Sequence, residues 1–206
     1  MYSRLLAVGG LSVALLTAQM TSIHSEGEVY LNDQAVRARS IRIVSSAVAR
    51  IRTGSGRAQI DLRDGSTVLV GPNAGLEIDD NRPDNFTKLD ILEGSVLIAS
   101  RGHGPQVTCE DSVRLSESGL FRFTVQTYSD QTANQCRLSV VDGVAAVQLA
   151  SLTAVLLPGE FMSLNRRCGD MIPKDRFDPT TFDDFERWAR PLVSQPRAEM
   201  KQKPKE

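Results

Sequence analysis

Aromatic side chains make up only 5% of the 206 residues, and the chain holds two histidines, three cysteines and one tryptophan. So few aromatics argue against an extended stacking platform for single-stranded nucleic acid or sugar rings. Neither sign of charge is in surplus: 24 Lys and Arg face 25 Asp and Glu, a formal net charge of -1. A dedicated nucleic-acid binder is usually clearly basic, so no nucleic-acid partner is expected. His24 and His103 are the only histidines and no C-x-x-C occurs, so no metal site is expected. His103, alone in "RGHGP", reads as a solvated loop residue rather than a catalytic base. G-x-S-x-G, H-E-x-x-H and G-K-[ST] are all missing, so the chain carries no hydrolase elbow, zincin helix or phosphate loop. Neither a cofactor nor an enzymatic activity is expected.

Long apolar runs are also lacking, with one exception. Met1–Arg4 is short and basic, and Leu5–Leu16 follows without a charge. About a dozen apolar residues fall short of the roughly 20 that span a bilayer and match a secretory h-region. Residues 1–25 are therefore expected to be a signal peptide, with an uncleaved anchor or a buried N-terminal segment as the other readings. Both main readings put the domain outside the cytoplasm, periplasmic or extracellular, with membrane contact only through this segment if it stays uncleaved. Cys109, Cys136 and Cys168 are an odd count for an exported chain, which leaves one free or paired between chains. Cys109 follows Val107 at strand spacing and Cys136 shares a face with Leu138 and Val140, so core packing alone accounts for both. Among bridges, Cys136–Cys168 is the one expected.

What the sequence has in quantity is short alternating runs broken by glycine. In "ARIRTGSGRAQIDLRDGSTVLVGPNAGLEI", Ala58, Ile60 and Leu62 alternate with Gln59, Asp61 and Arg63. That period of two describes a half-buried strand. Asp64-Gly65 follows, a pair favoured in two-residue hairpin turns because both central positions take positive φ. "STVLV" returns as a partner strand, and "GPNAG" breaks the chain again before Leu76 and Ile78. A phosphate cradle would need its glycines between a buried strand and a helix N-terminus, and no helical periodicity follows any of them. The same grammar recurs at Glu93-Gly94, Ser118-Gly119, Asp142-Gly143 and Pro158-Gly159, so each is expected to turn the chain between two strands. The expected fold class is mainly β: repeated short antiparallel strands forming a β-sandwich or a short solenoid-like stack, with one C-terminal α-helix.

That helix is expected in "FDPTTFDDFERWARPL", with Asp178 as N-cap, Pro179 at the first helical position and Pro191 ending it. Phe182, Phe185, Ala189 and Leu192, flanked by Trp188, form an apolar stripe that docks on the β-core or, alternatively, meets a partner. "SQPRAEMKQKPKE" is expected to be a disordered polar tail.

Together, "VARIRTGSGRAQIDLRDGSTVLVGPNAGLEID", "LDILEGSVLIA", "LSVVDGVAAV" and "LLPGEF" resemble the FecR-type extracytoplasmic domain. That family shows a T-G-x-G-R-A stretch before an L-x-D-G-S-x-x-x-L-G-P-N-S hairpin, then an L-x-x-G-x-V strand pair and a late L-x-P-G turn. The resemblance covers roughly residues 27 to 165. With the segments read above, the expected organisation is a signal peptide or N-terminal anchor over 1–25, a FecR-like β-domain over 26–168, a helical segment over 169–193 and a disordered polar tail over 194–206. Family members that regulate sigma factors carry an anti-sigma segment and a transmembrane helix ahead of this domain. Some 25 residues precede Gly27 here, so that signalling role is not expected to carry over. The family's V-x-G-T-x-F segment is replaced by "VRLSESGLFRF".

Two surface features complete the reading. Arg37, Arg39, Arg42, Arg50, Arg52, Arg57 and Arg63 fall in a stretch where Asp61 is the sole acid. They form a candidate face for an anionic partner, or simply alternate outward along strands. Asp79, Asp80, Asp84, Asp90 and Glu93 could supply the carboxylate pair of a glycoside hydrolase, a distant alternative. The expected role is a non-enzymatic binding or scaffold module of the bacterial envelope with a protein or a cell-wall or surface glycan as partner. An assembly subunit, pairing through Phe182, Phe185 and Trp188 of the helix or through a sheet edge, is the runner-up.

Overall fold

The computed structural model describes residues 21–36, 41–44, 48–79, 87–102, 104–109, 111–126, 135–148, 153–164 and 174–194. The apolar segment over 5–16, Arg37, Arg39, Asp80, Asp84, His103, Cys168 and the tail from residue 195 lie outside them, as does the side chain of Arg42. In chain order the strands are β1 (Thr21–Glu26), β2 (Val29–Leu31), β3 (Gln34–Val36), β4 (Ile41–Val44), β5 (Val48–Thr53) and β6 (Arg57–Asp61). Then come β7 (Thr67–Val70), β8 (Gly75–Asp79), β9 (Lys88–Ser100), β10 (Gln106–Cys109), β11 (Asp111–Leu115) and β12 (Gly119–Gln126). The last are β13 (Gln135–Asp142), β14 (Ala145–Gln148), β15 (Thr153–Leu156), β16 (Glu160–Leu164), β17 (Asp175–Arg176) and the helix α1 (Asp184–Ser194).

The ladder forms two layers joined through β9. The front layer runs β4-β1-β6-β7-β9-β12-β13-β16-β17. The back layer runs β3-β2-β5-β8-β9-β10-β11-β14-β15. Among the described residues all pairings are antiparallel except β9 with β10. Inward side chains of both layers make one core, which includes Ile51, Leu76 and Leu89 from the back and Ile60, Val68, Ile98, Phe121, Phe123 and Leu138 from the front. Burying each such aliphatic or phenyl side chain stabilises the fold by roughly 1.5–3 kcal/mol.

The expected fold class stands, and the two architectures left open in the sequence merge. From β10 onward the chain lays a hairpin in the back layer, one in the front, one in the back and one in the front. Each new pair is added beside the previous one in its own layer. The molecule is a sandwich in cross-section and grows like a solenoid.

This topology changes the meaning of the glycine turns. Ser118-Gly119, Asp142-Gly143 and Pro158-Gly159 do not close hairpins; each carries the chain from one layer to the other. Glu93-Gly94 is not a reversal at all. β9 continues through it, pairing with β8 before the glycine and with β7 and β12 after it. Gly94 has φ 75°, and a Cβ there would lie 2.5 Å from the Asn73 carbonyl oxygen. Only glycine permits the bend that passes one strand between two layers. Asp64-Gly65 does close the β6–β7 hairpin, but in a wider loop: the Leu62 amide donates to the Ser66 carbonyl at 2.8 Å, and only Gly65 of the pair has positive φ. The two-residue turn lies instead at Asn32-Asp33, between β2 and β3, where both residues have positive φ, 47° and 64°.

Cys136 is bridged to Cys109, not to Cys168. β10 and β13 lie in opposite layers with their cysteines facing inward, 2% and 0% exposed, and the Cα atoms are 6.0 Å apart. Strand alternation that looked like core packing is also the geometry of a cross-layer bridge. β1 is part of the front layer and Ile23 is buried in the core, so the folded region begins at least five residues ahead of the boundary drawn at residue 26.

Candidate functional site

The glycine-rich loops are occupied by the chain itself. The Gly54 amide donates to the Glu28 carbonyl, the Asn73 amide to Gly54 and the Gly71 amide to Ser95. The Thr53 hydroxyl donates to the Gly71 carbonyl at 2.6 Å and accepts from the Ala74 amide at 2.9 Å. The T-G-S-G and G-P-N-A-G segments are thus two halves of one interlocked corner, with these amides already committed.

The arginine stretch is divided among surfaces. Arg50 and Arg52 point outward from the back layer, where Arg50 pairs with Glu77 and Arg52 with Asp33. Paired with Glu77, the Arg50 guanidinium is held above its ordinary pKa, chiefly by that hydrogen bond. Arg57 points outward from the front layer and lies over the Trp188 ring, 5.4 Å from its centroid. Arg63 sits in the β6–β7 loop, exposed. The period-two alternation that set these side chains outward is real, but β5 and β6 belong to opposite layers, so the stretch is not one face. The acids are scattered too. Asp90 pairs with Lys88 at 2.9 Å on the back layer, and Glu93 lies opposite Gly75 at the bend of β9.

Helix α1 covers part of the front layer's outer face. Leu69 and Leu97, paired across β7 and β9, point away from the inter-layer core and pack with Phe185 and Ala189. Trp188 stacks on Phe185 with ring centroids 6.0 Å apart and donates to Glu26 at 3.2 Å. The N-cap is Asp183, not Asp178: its carboxylate accepts from the Glu186 amide at 2.8 Å, and Asp183 and Glu186 have capping-box spacing. Asp178 instead closes a turn, accepting from the Thr180 amide and hydroxyl, which hold its carboxyl below the ordinary range. Pro191 does not stop the helix, which continues to Ser194. So near the C-terminal end the missing amide removes a single hydrogen bond, and Ser194 Oγ and Arg101 satisfy the carbonyls of Arg190 and Val193. Phe185 and Trp188 therefore serve docking, while Phe182, 38% exposed, lies under the Arg190 guanidinium.

An ionic network ties the helix start to the sheet. Arg122 on β12 pairs with Asp183 and, at 3.2 Å, with the buried Glu186, which also meets Arg190 at 3.6 Å. Burial pushes the Asp183 carboxyl up, but the Glu186 amide, Arg122 and the Phe185 amide together hold it below the ordinary aspartate range.

Beyond this network the front layer stays open as a groove of about 480 Å³. Its floor is the outward grid of β12, β13 and β16. Arg122, Ser139 and Phe161 form one cross-strand row, and Thr124, Arg137 and Ser163 the next. Gln126 and Gln135 extend the grid, while Phe177, Thr181 and Glu186 form the wall on the helix side. The Arg137 guanidinium lies 3.6 Å from the Phe161 ring centroid. No carboxylate pairs with Arg137, and the Ser139, Ser163 and Gln135 side chains make no hydrogen bond among the described residues. The alternation of Cys136, Leu138 and Val140 implies that Arg137 and Ser139 point outward. The adjacency of β13 to β16, separated by a whole back-layer hairpin, is not visible in sequence.

No family model matches the chain, and no curated protein matches it. Among solved structures, a provisionally named anti-sigma factor from Parabacteroides distasonis ATCC 8503, determined at 2.50 Å, is similar. It has a TM-score of 0.50 and 21% identity, covering 64% of this chain and 61% of that one. A second such structure from the same organism, at 1.65 Å, has a TM-score of 0.48 and 23% identity over 63% of this chain and 60% of that one. The chain thus spans about three-fifths of the length of these proteins. The first likeness shows a shared β-architecture.

Proposed function

We propose that the chain is an exported, non-enzymatic FecR-like binding module of the bacterial envelope, holding a protein or glycan partner in the front-layer groove. The groove carries this reading: Arg137, Ser139, Ser163 and Gln135, able to hydrogen-bond and without side-chain partners among the described residues, are fixed on the adjacent strands β13 and β16. Preorganised groups lose little freedom on binding. The bridged Cys109 and Cys136 suit an oxidising compartment, and the apolar run Leu5–Leu16 suits export. The FecR-like motif order and the fold shared with a provisional anti-sigma factor support a regulatory or scaffolding role. Glu186, the one carboxylate lining the groove among the described residues, is engaged by two arginines, an arrangement that favours binding over proton transfer.

A second reading, subunit of an envelope assembly, has its own observation. β15 is an outer strand of the back layer among the described residues, and beside it Val144, Val155 and Leu157 are 39%, 45% and 51% exposed. Exposed apolar side chains at a sheet edge suit strand addition. Fractionation of the native cell, crosslinking of the envelope fraction and intact mass of the recovered chain test both readings. An envelope-located chain shortened upstream of Thr21, with crosslinks on β13 or β16, agrees with the groove reading, whereas crosslinks on β15 favour assembly. A full-length cytosolic chain refutes export.

A further inference from the structure

Resting on the reading of the groove as the binding site, we infer that its ligand is an acidic glycan, a uronate-bearing chain whose carboxylate is taken by Arg137. The guanidinium is stacked on Phe161, with no acid paired to it among the described residues. Stacking occupies one face of the guanidinium and leaves its in-plane N–H fork available, the geometry that binds a carboxylate in a bidentate manner. Ser163 lies directly beside Arg137 across β16, Ser139 two residues along β13, and Gln135 two residues the other way. At a strand spacing of about 4.8 Å, the row Thr124, Arg137 and Ser163 extends roughly 10 Å across the sheet. A carboxylate fork ringed by hydroxyl and amide groups, with Phe161 beneath the guanidinium and Phe177 on the wall, matches a sugar acid: one planar anion, several hydroxyls and an apolar ring face.

An acidic peptide fits less well. Peptides bound to sheets usually add as a strand and use main-chain hydrogen bonds, but the β12 and β13 ladders around Arg137 are already paired on both sides, and β16 is paired with β17 at Glu160 and Phe161. Nor does the floor offer the deep apolar pocket in which an anchoring side chain is buried at protein interfaces. Charge points the same way. Of the ionic groups lining the groove, Arg122 and Glu186 pair with each other, so Arg137 leaves a net positive site.

The test is calorimetry on the purified chain with the Cys109–Cys136 bridge formed, using a galacturonate hexamer, neutral maltohexaose and a hexaglutamate peptide. Amide chemical shifts of β13 and β16 locate the binding. The galacturonate hexamer is expected to bind and to move those amides, and maltohexaose to bind at least tenfold more weakly. R137Q should weaken the acidic glycan at least tenfold and R137K also, because the fork is lost. R50Q, on the opposite layer, should leave affinity unchanged, and the exposed position of Arg137 keeps its variants folded. The inference is overturned if galacturonate does not bind, if R137Q binds it equally, or if maltohexaose binds as tightly. Arg137-dependent binding of hexaglutamate without galacturonate overturns the glycan class and leaves the groove as a peptide site. Should none of the probes move β13 or β16 while a native partner crosslinks to another surface, the groove reading falls as well.

Discussion

The bridge between Cys109 and Cys136 lends itself to a worked magnitude. It closes a loop with a sequence separation of 27 residues. Loop-closure entropy for a loop of that length corresponds to about 3.5 kcal/mol at 25 °C, lost from the unfolded ensemble and regained as stability. Because β10 and β13 sit in opposite layers, the bridge also fastens the sandwich across its core. The double variant C109A/C136A removes it without burying a hydroxyl, and leaves Cys168 in place. Urea denaturation at constant pH should show a loss of about 3–4 kcal/mol. In a heat scan that corresponds to roughly 7–14 °C for a chain of this size. Trypsin cuts after Arg101, Arg114, Arg122, Arg137, Arg167 and Lys174, so the three cysteines fall on separate peptides. A non-reducing digest should therefore yield residues 102–114 linked to 123–137. A double variant within about 1 kcal/mol of the parent would refute the entropic argument, and residues 123–137 linked to 168–174 would refute the pairing itself.

Three further perturbations follow from the same structure. D183A removes the cap of α1 and should cost about 0.5–2 kcal/mol in urea, with D183N, still a cap but uncharged, in between. Since the folded Asp183 carboxyl titrates below its ordinary range, its contribution is complete above that range and lost as pH falls through the folded value. The difference between the parent and D183N should accordingly shrink on acidification. G94A combines a left-handed backbone penalty of about 1–2 kcal/mol with overpacking of about 1–3 kcal/mol against Asn73 and Ala74. Urea melts should show a loss of at least about 2 kcal/mol, and a neutral G94A would contradict the bend in β9. F185A empties the contact with Leu69 and Leu97. Trp188 emission should then shift to the red at urea concentrations below global unfolding, and coincident transitions would show that the helix does not undock separately.

Local alternation and turn chemistry are legible in single segments, and so the strands of "RAQID", "TVLV" and "FRFTV" are where the sequence places them. What a glycine does next is not legible. Gly65, Gly94 and Gly143 all have positive φ, yet one closes a hairpin, one bends a continuous strand and one hands the chain to the other layer. The choice is made by which strand lies alongside, a long-range contact with no local signature. Asn32-Asp33 shows the complementary case: its two left-handed residues are a readable hairpin signal that glycine-rich neighbours overshadow. The N-cap of α1 likewise moves from Asp178 to Asp183 because the helix starts where Arg122 can meet it, not at the first competent side chain. Arg137 is legible as outward and no more, since Phe161 and Ser163 reach it only after β14 and β15 have been laid in the other layer.

Helix docking and groove shape share Arg122 and Glu186, and that decides how the site should be probed. Arg122 lines the groove while holding Asp183 and Glu186, and Glu186 in turn holds Arg190, whose guanidinium lies over Phe182 and donates to the Pro179 carbonyl. Removing a partner of the buried Glu186 leaves its charge undercompensated; a fully buried pair loses about 3–5 kcal/mol in this way, and the partly exposed Arg122 and Asp183 reduce that cost. A change at Arg122 would thus loosen the helix start and move the wall formed by Thr181 and Glu186, mimicking loss of a ligand contact. Arg137 sits one strand further along, joined to this network by no ion pair among the described residues, so its substitution changes the groove's chemistry while the wall stays in place. The same separation explains why the groove can be polar and open without weakening the fold. The front layer's stability comes from its inward face and from the patch under α1, so Arg137, Ser139 and Ser163 on the outward grid can meet a ligand without giving up an ion pair or side-chain hydrogen bond among the described residues.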